Sequence, residues 1–168
     1  LGTSAAFPQK LLAESPSASD IMNAVFDTPY RHTLQSDYAS IHRSTLSEWT
    51  DTVWQNDVLD AKVTVGAGSQ PLEQAAIRSS DFINGKHRIS AENIDIRWLQ
   101  ETLANIGSAQ PEAPVAAYPD VIHRSRTTRI EAGQLKSAWV SLTIPKDAVC
   151  GVYTGTLEVT AAGQPPAS

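Results

Sequence analysis

The sequence is poor in cysteine, in charge and in long apolar runs. Of its 168 residues only Cys150 is a cysteine, so no disulfide can form within the chain, and cysteine use points to no particular redox compartment. Charged residues make up 18%, and the formal charge of −5 lacks the basic surplus of nucleic-acid-binding proteins. No apolar run reaches the roughly 18 residues of a membrane span. We therefore expect an ordinary globular domain with no nucleic-acid partner and no membrane span.

Patterns that carry catalytic, metal or cofactor chemistry are missing as well. The four histidines show neither H-x-x-x-H nor Cys–His spacing, so we predict no metal site. No G-x-S-x-G motif is present. Gly66 and Gly68 lack both the remaining glycine of a dinucleotide-binding motif and the Lys-Ser/Thr of a phosphate-binding loop. We predict no cofactor and no catalytic residue in this chain.

The most informative stretch runs from residue 139 to residue 160, where apolar and polar residues alternate. The apolar positions that share the inward parity of their segments are Val140, Leu142, Ile144, Tyr153, Leu157 and Val159. Such alternation predicts two half-buried strands, arranged as a hairpin-like or a cross-sheet pair. Pro145 cannot donate to a sheet ladder and ends the first strand. Gly155 has the inward parity of the second strand, where it leaves room for a bulky neighbour such as an aromatic ring.

Shorter strand signals precede this pair. Residues 59–65 and 94–98 alternate, and residues 72–78 indicate a strand or a short turn of helix. The segment after residue 98 fits a strand or a helix, while the proline-rich residues 107–119 predict a long irregular connection. Several short strands with glycine and proline between them, and no βαβ rhythm, indicate an all-β fold. We predict an Ig-like or jelly-roll-type antiparallel β-sandwich.

Three segments make up the predicted domain organisation. Residues 1–36 are expected to form a flexible or partly helical lead-in. The first 20 or so residues are rich in Ala, Ser and Pro, which indicates flexibility, and the apolar residues between 21 and 26 have the spacing of a short helix. Residues 37–162 form the β-sandwich domain, and residues 163–168 a linker to a further domain. The chain starts with Leu1 instead of Met, so we expect a fragment of a longer, exported protein, located in the periplasm, on the cell surface or outside the cell.

Residues 139–159 also follow a longer pattern, W-x-x-[VLI]-x-x-P-x(5)-G-x-Y-x-G-x-[LI]-x-[VI]. Upstream segments that belong with it, in the same order, are Trp54–Val65, Ile89 with Asn93–Trp98, and Tyr118–Ile122. Together these segments resemble the β-sandwich domain that precedes the catalytic barrel in glycoside hydrolase family 123. The resemblance spans residues 49–162, which is most of the chain.

The resemblance implies that the sandwich and the catalytic chemistry lie in different domains. Family 123 is associated with substrate-assisted hydrolysis of N-acetylgalactosamine linkages by an adjacent Asp–Glu pair on its barrel, and this sequence contains no adjacent Asp–Glu pair. A (β/α)₈ barrel also needs about 200 residues or more. The implied function is therefore a non-catalytic accessory domain of an exported bacterial glycan-acting protein. Its partners would be its own C-terminal catalytic domain and glycans.

Four residues are candidates for carbohydrate or interdomain contact: Trp49, Trp54, Trp139 and Asp120. Amphipathic aromatic rings serve at binding surfaces, and Trp139 takes the parity opposite to the inward residues of its strand. The faces of Trp49 and Trp54 stay open, and Asp120 is expected to anchor the long connection. Two further functions remain open: a stand-alone carbohydrate-binding module, and a structural or adhesive Ig-like surface domain.

Overall fold

A computed structural model describes residues 3–8, 23–27, 48–104 and 116–166 of the chain. Thirteen strands occur in these ranges: β1 Thr3–Pro8, β2 Asn23–Asp27, β3 Glu48–Val53, β4 Val58–Gly66, β5 Leu72–Ser79, β6 Phe82–Asn84, β7 His87–Ile89, β8 Ile94–Ala104, β9 Ala116–Ile122, β10 Thr128–Ile130, β11 Leu135–Thr143, β12 Val152–Thr154 and β13 Leu157–Ala162. A single 3₁₀ turn over Ala91–Asn93 is the only helical element in the described part of the chain. The prediction of an all-β fold is confirmed.

The strands build a two-layered sandwich. One layer is a five-stranded sheet with the order β2-β4-β11-β8-β9, called here the β11 sheet. The other layer consists of a five-stranded sheet, β3-β1-β12-β6-β7, and a three-stranded sheet, β10-β5-β13. Ser80 and Thr156 join these two sheets, because the amide of each donates a hydrogen bond of 2.9 Å to an oxygen of the other. Among the described pairs only β1–β12 is parallel, so the layers are essentially antiparallel.

The alternation in the sequence sets which side chains form the core. All six inward positions predicted between residues 139 and 160 are buried, and so are the inward apolar positions of β4, which are Leu59, Ala61, Val63 and Val65. On β8, Trp98 has the same parity as Ile94 and is fully buried, as the spacing of these two residues predicts. β11 belongs to one layer while β12 and β13 belong to the other, so the cross-sheet arrangement is right and the hairpin alternative is wrong.

Gly155 occupies an inward position where a larger side chain would collide with an aromatic ring. A Cβ atom built on Gly155 would lie 3.0 Å from three ring carbons of Phe82. Phe82 is fully buried on β6, beside the short connection from β12 to β13. The prediction of a ring against this glycine is confirmed.

Two segments differ from their expected local structure. Within the lead-in, residues 3–8 and 23–27 form strands, and β2 pairs with β4, so a helix over residues 21–26 is wrong where the structure describes it. The remainder of residues 1–36 lies outside the described residues. Sheet pairing overrides the local helical spacing, since β2 gains a complete ladder along β4.

The proline-rich connection is shorter than expected. β8 continues as a strand to Ala104 instead of turning helical, and residues 116–119 belong to β9. Pro119 is tolerated there because β9 is an edge strand and its register with β8 shifts at Gln100 and Glu101. Residues 105–115 lie outside the described part.

The strand directions define two ends of the sandwich. β13 ends at Ala162 beside Glu73, near the connection 67–71 and the turn 131–134, and this end is called the exit end. The connections 54–57 and 144–151 lie at the opposite end, where the amide of Ile144 donates to the carbonyl of Asp57. No helix in the described ranges is long and apolar enough to cross a membrane.

Candidate functional site

The outward face of the β11 sheet carries two rows of polar and aromatic side chains. In the first row Trp139 of β11 lies between Lys62 of β4 and Arg97 of β8. In the second row Ser141 lies between Asp60 and Asp95 on the same two neighbours. Because side chains alternate along each strand, all six point away from the core. These six residues are called the polar face.

Asp60 fixes the aromatic ring at the centre of the polar face. The indole Nε1 of Trp139 donates to Asp60 Oδ1 at 3.1 Å, and Ser141 Oγ donates to the same oxygen. The carboxylate thus accepts one bond from each row and holds the indole in one orientation. Charge-assisted bonds of this kind are stronger than those between neutral groups. Trp139 is half-buried and therefore offers part of its ring to a partner.

Asp95 ties the basic loop 123–127 to the same face. Arg97 Nε donates to Asp95 Oδ1 at 2.8 Å, and Arg126 Nη2 reaches that oxygen at 3.3 Å. Arg97 also donates from Nη1 to the carbonyl of Arg124 at 2.9 Å. These ion pairs are exposed, so each contributes only about 0–1 kcal/mol to stability. Their main effect is to position the loop.

The row next to Trp139 is buried in spite of its polarity. Thr64 and Ser137 lie on the outward parity of β4 and β11, and their hydroxyl oxygens are 2.8 Å apart. Both residues are buried, and so is Lys62. Buried hydroxyls require hydrogen-bond partners, and this pair supplies one to each other. The polar face is therefore open around Trp139 and Asp95 and closed beside Thr64.

The chemistry of the polar face favours recognition over hydrolysis. Asp60 and Asp95 lie two strands apart, at about twice the 4.8 Å strand spacing, which is close to the separation of the carboxyl groups in inverting glycosidases. Both carboxylates, however, lie on a polar surface and already accept hydrogen bonds from neighbouring side chains. Within the described ranges no three His, Cys, Asp or Glu side chains come together as a metal site.

The structure does not gather the four candidate contact residues into one site. Trp139 lies at the centre of the polar face, and Trp49 lies on β3 of the other layer, partly packed against the core. Trp54 is 62% exposed at the end of the sandwich opposite to the exit end, and Asp120 is exposed on the edge strand β9. Their assignment as carbohydrate or interdomain contacts stays a prediction.

Asp60 is the residue of the polar face that the sequence analysis did not single out. Three residues upstream, Asp57 serves the turn before β4, since its Oδ1 accepts from the amide of Val58 at 2.8 Å. Asp60 instead meets Trp139 from a neighbouring strand, 79 residues away in sequence. The only signal available was that both residues take the outward parity of long alternating strands.

Comparisons with known proteins place most of the chain in one family. The family model described as the glycoside hydrolase 123 N-terminal domain matches residues 26–161. Among solved structures, a family 123 glycoside hydrolase from Clostridium perfringens, studied for glycolipid glycan hydrolysis, is 36% identical with a TM-score of 0.74. The match covers 88% of this chain and 26% of that enzyme, so the chain spans about a quarter of its length. No curated protein matches the chain. With the family model and the solved structure in agreement, the chain belongs to the family of glycoside hydrolase 123 N-terminal domains.

Proposed function

We propose that this domain is the non-catalytic accessory sandwich of an exported bacterial glycoside hydrolase and that it supports a catalytic barrel that follows it in the same polypeptide. The observation that carries this proposal is the family match over residues 26–161, which is to an N-terminal domain. The similar enzyme from Clostridium perfringens is about four times longer than the matched part, which leaves ample length for a barrel. The sandwich thus acts through the domain it contacts.

The proposed reaction of the whole protein is hydrolysis of an N-acetylgalactosamine linkage with assistance from the substrate's own acetamido group. This chain contains no adjacent Asp–Glu pair to orient that group. The carboxylates of its polar face are engaged by Trp139, Ser141 and two arginines. The catalytic residues are therefore assigned to the following domain, and none to this one.

Reading the open reading frame beyond Ser168 tests the proposal. We expect a barrel-sized region of about 200 residues or more that contains an adjacent Asp–Glu pair. A reading frame that stops, or that continues into another sandwich, would remove the link to hydrolysis.

A second candidate function, glycan binding by the sandwich itself, is supported by the polar face. Sugars stack their apolar faces on aromatic rings, and the half-buried Trp139 has a fixed indole with hydrogen-bonding groups on both sides. Glycan-array binding by this chain should weaken in Trp139→Ala and persist in Trp54→Ala, a control at the opposite end of the sandwich. Equal binding by both variants would reject the polar face as the platform.

A further inference from the structure

β8 changes its partner halfway along its length. Ile94–Trp98 pair with β11, whereas Leu99–Ala104 pair with β9. Because the described pairing with β11 ends at Trp98, the second half of β8 and β9 form a two-stranded ribbon that leaves the sheet. A two-stranded ribbon is only marginally stable in water unless a face of it packs against something else.

The ribbon exposes apolar side chains on both of its faces. Leu103 is 77% exposed and Ile122 is 58% exposed, and both lie on the face that continues the polar face of the sheet. Val121 is exposed on the other face. A single exposed apolar residue needs no explanation, but three spread over the two faces of one short ribbon indicate that the ribbon contacts another protein surface. Leu103, Val121 and Ile122 are called the ribbon patch.

A cleft opens where the ribbon leaves the sheet. It has a volume of about 360 Å³ and is lined by Trp98, Leu99, Gln100, Glu101, His123, Thr128 and Lys136. Its floor is apolar, since Trp98 and Leu99 are buried. Its rim carries charged and polar groups from β8, β10, β11 and His123. A concave site lined mainly by polar groups around a small apolar base suits an inserted partner side chain or short segment that offers hydrogen bonds.

The ribbon points to the end of the sandwich at which the chain leaves it. β8 runs antiparallel to β11 and so heads for the exit end, where β13 finishes at Ala162. The other exposed apolar side chains include Trp54 and Val149, which belong to the connections at the opposite end. A domain that follows this one would therefore begin at the same end of the sandwich as the ribbon, and at the opposite end from Trp54.

We propose that the ribbon patch and the cleft at its base form the docking surface for the catalytic domain of the same polypeptide. This inference rests on the proposed function. The partner surface should be a groove with apolar walls, because the ribbon exposes apolar side chains on both faces. It should carry polar groups of both charge signs at its rim, because Glu101 and Lys136 both line the cleft. Interfaces between domains of one chain combine apolar and polar contacts in this way.

Hydrogen exchange in two forms of the protein tests the docking surface. The amides of residues 99–104 and 116–122 are compared in the 168-residue chain and in the full-length polypeptide that contains it. Burying even one leucine or isoleucine side chain shifts a local opening equilibrium by about tenfold or more. We expect exchange of the ribbon amides to slow by at least about that factor in the longer protein, while the amides of β6 and β7 exchange equally in both.

Two matched substitutions separate docking from a general loss of strand stability. Ile122→Asp in the longer protein should return ribbon exchange to the rate seen in the 168-residue chain. Ile83→Asp, on β6 with 43% exposure, makes the same chemical change away from the ribbon and should leave the protection intact. If Ile122→Asp does not fold, Leu103→Asp replaces it, since the 77% exposure of Leu103 leaves the core untouched.

The outcomes distinguish this inference from the proposed function. Unchanged ribbon exchange in a longer protein that hydrolyses N-acetylgalactosaminides overturns the docking surface and leaves the proposed function standing. Protection that appears in the 168-residue chain and grows with its concentration assigns the patch to a second copy and also overturns the inference. A longer protein with no glycosidase activity overturns the proposed function itself, independently of the exchange data.

Discussion

Adding one methyl group at Gly155 should destabilise the sandwich through a single ring. In Gly155→Ala the new Cβ would lie 3.0 Å from three ring carbons of Phe82. Ordinary carbon contacts lie at about 3.5–4.0 Å, so the ring would have to move by about half an ångström. Phe82 is fully buried, and its neighbours would have to move with it. Overpacking of a buried site by such a group costs about 1–3 kcal/mol.

Part of that cost is offset in the unfolded chain. Alanine has less conformational freedom than glycine there, which stabilises the folded state by about 0.4–1 kcal/mol where the backbone conformation is allowed. The φ angle of Gly155 lies outside the left-handed region, so alanine can adopt it. We expect a net loss of about 1 kcal/mol in the free energy of unfolding and a fall in Tm of about 2–4 °C.

Urea unfolding of a double-mutant cycle measures this contact directly. In a Phe82→Leu background the ring is gone, so Gly155→Ala should be neutral or stabilising by up to about 1 kcal/mol. The two substitutions should therefore couple by about 1–3 kcal/mol, read from midpoints at constant m-value. An equal cost of Gly155→Ala with and without the ring would refute the argument.

Three further substitutions test other parts of the sandwich. Ser137→Ala removes the buried hydrogen bond to Thr64 and should lower the free energy of unfolding by about 1 kcal/mol, measured by urea unfolding; no loss would mean that the bond contributes nothing. Gly151→Ala places a methyl group against the side-chain amide of Asn84, and the φ of Gly151, +154°, is one that alanine rarely adopts. The free energy of unfolding should fall by about 2 kcal/mol or more. A second substitution, Asn84→Ala, should recover the part of this loss that is due to the clash and leave the part that is due to the backbone. Trp54→Phe should change stability by less than about 0.5 kcal/mol while clearly reducing acrylamide quenching of tryptophan fluorescence, and unchanged quenching would show that this ring is not exposed.

Alternation predicted the strand faces because it depends only on neighbours along the chain. Val140 and Leu142 point inward and Trp139 outward whatever their partners are, since the side-chain period of a strand is two. Gly155 was identified in the same way, because it is a glycine at an inward position where a larger apolar residue is expected. These predictions needed no knowledge of the strand order.

Pairing between distant strands could not be predicted from the same signals. The contact of Asp60 with Trp139 depends on the register of β4 against β11, which a single sequence does not show. The ribbon was missed for a related reason: prolines near residue 119 indicated an irregular segment, and edge strands tolerate proline where central strands do not. The exposure of Leu103 and Ile122 depends on the change of partner along β8 from β11 to β9, which the sequence does not show.

Hydrolysis of an aryl N-acetylgalactosaminide, measured side by side for the 168-residue chain and the full-length polypeptide, tests the central claim most directly. We expect release of the aryl group by the longer protein and no release by the 168-residue chain above a heat-inactivated control. Turnover by the 168-residue chain would contradict it, because catalytic residues would then have to lie within the sandwich.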